Sequence, residues 1–226
     1  MASGAIIGLA VLVTGVGWVA SLRTRSASYT VTAPVSRVDL QLASGNADIV
    51  ASSSPAVQVR RTESYAFGHP ARERRWTTDG VLHIVSGCPR IVLGSCSASY
   101  EVAVPQGVTI TVHTNSGGIH VNGVSGNASV RTRSGNVDVE AYCGFHLTAE
   151  SESGNVTVVT ACPPQSLRLQ TGSGNAAALV PPGPYRIAAV SGGHRERVTG
   201  VKDDPSSVFT ITVESGSGAV AVEGGL

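Results

Sequence analysis

Aromatic residues make up only 4% of this 226-residue chain, which excludes a core of large rings and leaves packing to small and β-branched side chains. An excess of one charge is missing too. Lys and Arg number 16 against 15 Asp and Glu, a formal charge of +1, so the chain lacks the broad basic surface that attracts nucleic acid. The run Arg72, Glu73, Arg74, Arg75 carries its own acid and reads as a solvated loop or strand. Signatures of common chemistry are also lacking: there is no Gly-x-Ser-x-Gly elbow, phosphate loop or Gly-Gly-x-Gly-x-Asp calcium repeat. No Cys-x-x-Cys or close Cys/His cluster is present to hold zinc. No cofactor and no metal site are expected.

What is plentiful is Gly, 27 residues of it, among Val, Ala, Ser and Thr, a composition for short strands joined by tight turns around a thin core. A long, continuously apolar run without charge is AIIGLAVLVTGVGWVASL, residues 5–22. As a helix rising about 1.5 Å per residue it nearly matches the hydrocarbon thickness of a bilayer, so it reads as a membrane span. Trp18 suits the interface, and Arg23 and Arg25 fall in the headgroup region. The competing readings are a buried helix and a cleaved leader, whose apolar region is usually shorter. By the positive-inside rule the two arginines would hold the rest of the chain in the cytoplasm; the cysteines point the other way.

A Ser-Gly pair followed by Asn, Gly or Ala recurs at Ser44, Ser116, Ser134, Ser153, Ser173 and Ser217, with a divergent copy at Ser191. A period near 19 residues with a turn signal inside it marks a stacked solenoid, one coil per repeat. Apolar residues fall six and four positions before these serines, as in Ile110 and Val112 or Leu147 and Ala149. They recur three and five positions after, as in Val137 and Val139 or Val156 and Val158. Such alternation defines strands. Asn136, Asn155 and Asn175 would stack along one corner as a hydrogen-bonded ladder, since Gly and Asn suit the corner conformation. At Ser191 the rule breaks, with His194 and Glu196 at positions that should be apolar, and residues 191–207 read as an irregular excursion. Residues 29–112 alternate at uneven spacings and read as hairpins capping the solenoid.

Cys88 and Cys96 flank a short loop, and Cys143 and Cys162 each lie nine residues after a corner serine, hence at equivalent corners of successive coils. Strand spacing of about 4.8 Å is within disulfide reach. Two such pairs imply an oxidising compartment; buried free thiols are the alternative. Along the outward columns the one acid and base pairing is His120 beside Asp138, which reads as a surface ion pair rather than a catalytic dyad, because no second carboxylate joins it. Further along that face Val159, Ala177 and Leu179 leave an apolar patch, either covered by residues 194–213 or open to a partner. The opposite face carries Thr111, Ser129, Thr148, Arg131 and Glu150 and reads as solvated.

The repeated Ser-Gly-Asn-Val-x-Val units, the Ser-Tyr-Thr-Val entry at residues 28–31, and Gly87-Cys88 through Ser95-Cys96 followed by Tyr100-Glu101-Val102-Ala103-Val104-Pro105 resemble a bacterial domain-of-unknown-function family labelled as candidate adhesins. The resemblance runs from about residue 28 to the end. It implies a β-solenoid, membrane-anchored in many actinobacterial members, with no catalytic residues to carry over. The expectation is therefore an all-β chain: an anchor over residues 1–28, then a parallel β-solenoid over residues 29–226, with capping hairpins at 29–112 and regular coils at 113–226. Its expected role is a non-enzymatic surface protein, outside the membrane, that binds an envelope protein or glycan. A regulatory scaffold is the alternative, and a polysaccharide-acting enzyme comes last.

Overall fold

The computed structural model describes residues 22–90, 95–193 and 195–225. The expected span over residues 5–22 lies outside them apart from Leu22, and so does His194. Among the described residues every regular element is a strand, and no helix is long and apolar enough to cross a membrane.

Four coils follow one another in chain order: β8 (Thr109–Ser116) with β9 (Ile119–Asn122), β10 (Ala128–Ser134) with β11 (Val137–Tyr142), β12 (His146–Ser153) with β13 (Val156–Thr160), and β14 (Ser166–Ser173) with β15 (Ala176–Val180). Within each coil the second strand lies in sheet 1 and the first in sheet 2, and both sheets run parallel here. Ile110, Ala128, Leu147 and Leu167 align across sheet 2. Ile119, Val137, Val156 and Ala176 align across sheet 1. All eight are buried between the sheets, as the alternation predicts, and their burial supplies most of the driving force for stacking.

The end coils depart from chain order. β2 (Arg37–Leu42) and β3 (Ala47–Ser52) form a coil that lies between β8/β9 and the pair β6 (Val81–Gly87) and β7 (Cys96–Pro105), parallel to both. Residues 37–52 are thus a full coil and not part of the capping hairpins. The cap is built by β1 (Arg23–Val31), antiparallel to β4 (Val57–Tyr65), by β4 itself, antiparallel to β7, and by β5 (Arg72–Thr78), antiparallel to β6. The first described strand begins at Arg23, ahead of the expected boundary at residue 29, and Arg23 and Arg25 stand in it.

At the other end β19 (Thr210–Ser215) and β20 (Val220–Gly224) insert between β14/β15 and the terminal coil of β16 (Pro184–Ser191) and β17 (Glu196–Thr199). The stretch expected to be irregular therefore contains β17 and the short β18 (Lys202–Asp203), both paired in parallel. Glu196 takes the inward register beside Val220, but it belongs to the last strand of its sheet. Its carboxylate accepts the Ser191 N–H at 2.9 Å, so a polar residue is tolerated where earlier coils need an apolar one.

The Ser-Gly corner sets the stacking distance. Gly45, Gly117, Gly135, Gly154 and Gly174 have φ between +128° and +149°, a region costly for any residue with a Cβ. A Cβ on Gly154 would lie 2.1 Å from the Gly135 carbonyl oxygen, and one on Gly174 would lie 2.2 Å from that of Gly154. Those carbonyls are used: the buried hydroxyls of Thr132, Ser151 and Thr171 donate to Gly117, Gly135 and Gly154 at 2.9, 2.8 and 2.7 Å. On the outer side of the corner, Asn136 Oδ1 accepts the Asn155 N–H at 3.0 Å, and Asn155 Oδ1 accepts the Asn175 N–H at 2.8 Å.

A polar plug closes the N-terminal end between β1, β4 and β5. Arg61 donates to Glu63 at 2.7 Å and to the Ala71 carbonyl at 2.6 Å, and Tyr100 donates to Glu73 at 2.7 Å. Arg75 lies over the Tyr29 ring, 3.8 Å from its centroid, a cation–π contact. Burial first, and Glu73 next, push the Tyr29 phenol up to about 12; burial also raises Tyr100 and Tyr142.

Two outcomes follow from this architecture. Gly154→Ala is expected to lower the unfolding free energy by about 3 kcal/mol or more, combining backbone strain with overpacking. Gly87→Ala, whose Cβ would meet nothing within 4 Å, is expected to change it by under about 0.5 kcal/mol. Equal urea midpoints for the two would contradict the corner packing. The raised phenols mean that the folded state holds protons that the unfolded state releases from its ordinary value of 10.0 upward. Stability should therefore fall as pH rises through the range from about 10 to about 12, with phenolate absorbance appearing together with loss of β-sheet circular dichroism.

Candidate functional site

The parallel stack turns each sheet's outer surface into rows of side chains about 4.8 Å apart. On sheet 1 one row runs Glu101, Asp48, His120, Asp138, Thr157, Ala177. His120 thus has a carboxylate on each side. The sequence pattern alone does not bring Asp48 beside His120, because more than fifty residues separate β3 from the strand it pairs with. One Asp48 oxygen, Oδ1, is buried without a hydrogen-bond partner. Burial pushes the Asp138 carboxyl above its ordinary value, His120 opposes this, and Glu140 adds to it.

This row does not assemble a reaction centre. General acid–base work needs a carboxyl and a base converging on one bond in a site shielded from water, whereas these groups stand side by side on an open sheet. Among the described residues no group of three or more His, Cys, Asp or Glu is arranged to hold a metal ion.

Val159, Ala177 and Leu179 lie further along the same sheet, Val159 beside Leu179, each half-buried. The strands of residues 196–215 do not lie over them: β17 extends sheet 1 in its own plane, and β19 belongs to sheet 2. On sheet 2 the opposite face is laced by ion pairs, Arg131 to Glu150 at 3.6 Å and Arg168 to Glu214 at 3.3 Å.

All four cysteines are in disulfides. Cys143 and Cys162 bridge equivalent corners of successive coils with Cα atoms 4.8 Å apart, and Cys88 and Cys96 tie the end of β6 to the start of β7 with Cα atoms 5.8 Å apart. Among the described residues no thiol is left to serve as nucleophile or metal ligand.

Two flat outer faces, a thin apolar core and disulfide-bridged corners define a two-sheet parallel β-solenoid domain. The chain belongs to the Toastrack DUF4097 family, whose model matches residues 95–223. Among solved structures it is similar to a candidate adhesin of Bacteroides fragilis, at 12% identity and a TM-score of 0.52, over 89% of this chain and 97% of that one. It is also similar to a candidate cell adhesion protein of Clostridium sporogenes, at 11% identity and a TM-score of 0.46, over 90% of this chain and 100% of that one. At such identities the likeness is one of fold. No curated protein sequence matches the chain.

The raised Asp138 carboxyl has a measurable sign. A carboxyl that holds its proton more tightly when folded contributes stability below its unfolded value of 3.8, and loses it as pH rises through the folded value. Asp138→Asn should therefore melt slightly above the parent at pH 7, an advantage that fades as pH falls toward about 4 and is gone below it. A lower Tm at pH 7 would show that the carboxylate is held by attraction instead.

Proposed function

We propose that this chain is a non-enzymatic, membrane-anchored envelope protein whose solenoid stands outside the cytoplasmic membrane and binds another envelope component. The observation that carries the reading is the pair of disulfides, one between successive coils and one between the sheets, because such bonds persist in oxidising compartments. The uncharged run over residues 5–22 supports anchoring. Since β1 begins at Arg23, a span ending at Leu22 would hold the capped end of the solenoid close against the bilayer. The open faces suit binding rather than turnover, and the adhesin names of the structural neighbours agree with it. Val159, Ala177 and Leu179 offer an apolar contact for a protein partner on sheet 1.

A second reading has one observation in its favour. Arg23 and Arg25 directly follow the span, which by the positive-inside rule favours a cytoplasmic domain, there a scaffold for a regulatory protein with its thiols reduced. Alkaline phosphatase fused after Leu226 separates the two, since the enzyme folds only where disulfides form. Strong activity in intact bacterial cells is expected; a stably expressed, membrane-bound but inactive fusion would overturn the surface reading.

A further inference from the structure

We infer that the outer face of sheet 2 is a binding site for an uncharged polysaccharide chain, anchored at one end by Trp76. This deepens the surface-binding reading and rests on it. It also assigns the recognition to the sheet opposite the apolar patch of Val159 and Leu179.

Trp76 lies on the edge strand β5 and remains 45% exposed. Its ring is stacked on the His83 imidazole, with centroids 4.9 Å apart and planes 15° apart. His83 Nδ1 is 3.1 Å from Asp39 Oδ2, and Gln41 Nε2 donates to the same oxygen at 3.2 Å. The indole is therefore one layer of a stack held in place from two neighbouring strands. A large aromatic surface ordered before binding loses little entropy when a ligand covers it. The axial C–H groups of a pyranose carry partial positive charge and suit the negative π-face. Two strands over, Asp39 and Gln41 present an acceptor and an amide that suit the hydroxyls of a sugar further along the chain.

The row continues beyond Asp39. Thr111, Ser129 and Thr148 follow in register on successive strands, one hydroxyl about every 4.8 Å. A repeating polar ladder meets a repeating polar chain through many weak contacts that add when linked. Along the hydroxyls the charges pair with one another, Arg131 with Glu150, Arg133 with Glu152 and Arg168 with Glu214, which favours an uncharged polymer over a polyanion on this row, while Arg74 stands on the indole's own face of β5. A lipid surface fits less well, because the row leading away from the indole runs through His83, Asp39 and hydroxyls rather than across a continuous apolar patch.

The test uses the full chain in detergent. Maltohexaose, cellohexaose and the hexamer of N-acetylglucosamine are titrated beside their dimers, with a heparin oligosaccharide and anionic phospholipid vesicles as competing ligand classes. At least one hexamer should bind with a change in tryptophan emission, and its dimer should bind about tenfold more weakly. Trp76→Ala should weaken the hexamer by at least about tenfold, and Trp76→Phe should abolish the emission change while retaining part of the affinity. The pair Ser129→Ala and Thr148→Val should weaken the hexamer and leave the dimer unchanged, with the fold of every variant checked by circular dichroism. Absence of binding by all three hexamers, binding indifferent to Trp76→Ala, or Trp76-dependent binding of heparin or vesicles in their place would overturn the proposal. An active phosphatase fusion without hexamer binding sinks this inference alone; hexamer binding with an inactive fusion sinks the surface reading alone.

Discussion

Everything in this fold hangs on the near contact between the glycine of one corner and the glycine carbonyl of the coil beneath it. A side chain there would overlap the oxygen, as the 2.1 Å separation from a Cβ on Gly154 to Gly135 demonstrates. With glycine in place, the coils approach at strand spacing along the corner as well as along the sheets. The carbonyl then faces inward, where Thr132, Ser151 and Thr171 can donate to it. A buried carbonyl left without a partner would cost about 1–3 kcal/mol, so the hydroxyl column and the glycine column depend on each other. The asparagine column does the same on the outside. One backbone conformation, repeated, thus dictates three residue types in each repeat.

That dependence explains what can be read from the sequence. The inward pairs, the corner asparagines and the cysteine placement each follow from a local period, and a period survives in a bare sequence. The hydroxyls two positions before five of the corner serines, Thr114, Thr132, Ser151, Thr171 and Ser215, obey that period too, yet their role shows only once the carbonyls they bond are placed. The order of the end coils leaves no such trace. β2 and β3 carry normal coil residues, but more than fifty residues intervene before the coil that stacks on them, and β6 and β7 take the other side. The neighbours of Asp48 and Asp39 were therefore out of reach, and with them the row through His120 and the stack of Trp76 on His83.

The exchanged ends also answer a problem inherent to solenoids. A terminal coil has a neighbour on one side only and frays or aggregates unless capped. Here the chain's first and last full coils, β2/β3 and β19/β20, are each hydrogen-bonded on both edges. The strands left at the margins differ in how they are protected. The N-terminal margin is closed by antiparallel strands around the plug of Arg61, Glu63 and Glu73. The C-terminal margin ends in short strands bearing Glu196, Arg197, Lys202 and Asp203, whose charge and brevity discourage further strand pairing.

The disulfides fit the same division of labour. Cys143–Cys162 spans 19 residues between coils already paired along both sheets, so its contribution, about 3 kcal/mol for a loop of that length, is chiefly to restrict the unfolded chain and to oppose local opening. Cys88–Cys96 joins strands of different sheets beside the polar plug, where buried charge makes the interior costlier than in the apolar coils. At the C-terminal end the described residues contain no disulfide, and the insertion of β19 and β20 supplies the restraint instead. Opening that end requires breaking pairings on both edges of the inserted coil, so the stack gains at its far end by topology what it gains near the cap by covalent bonds.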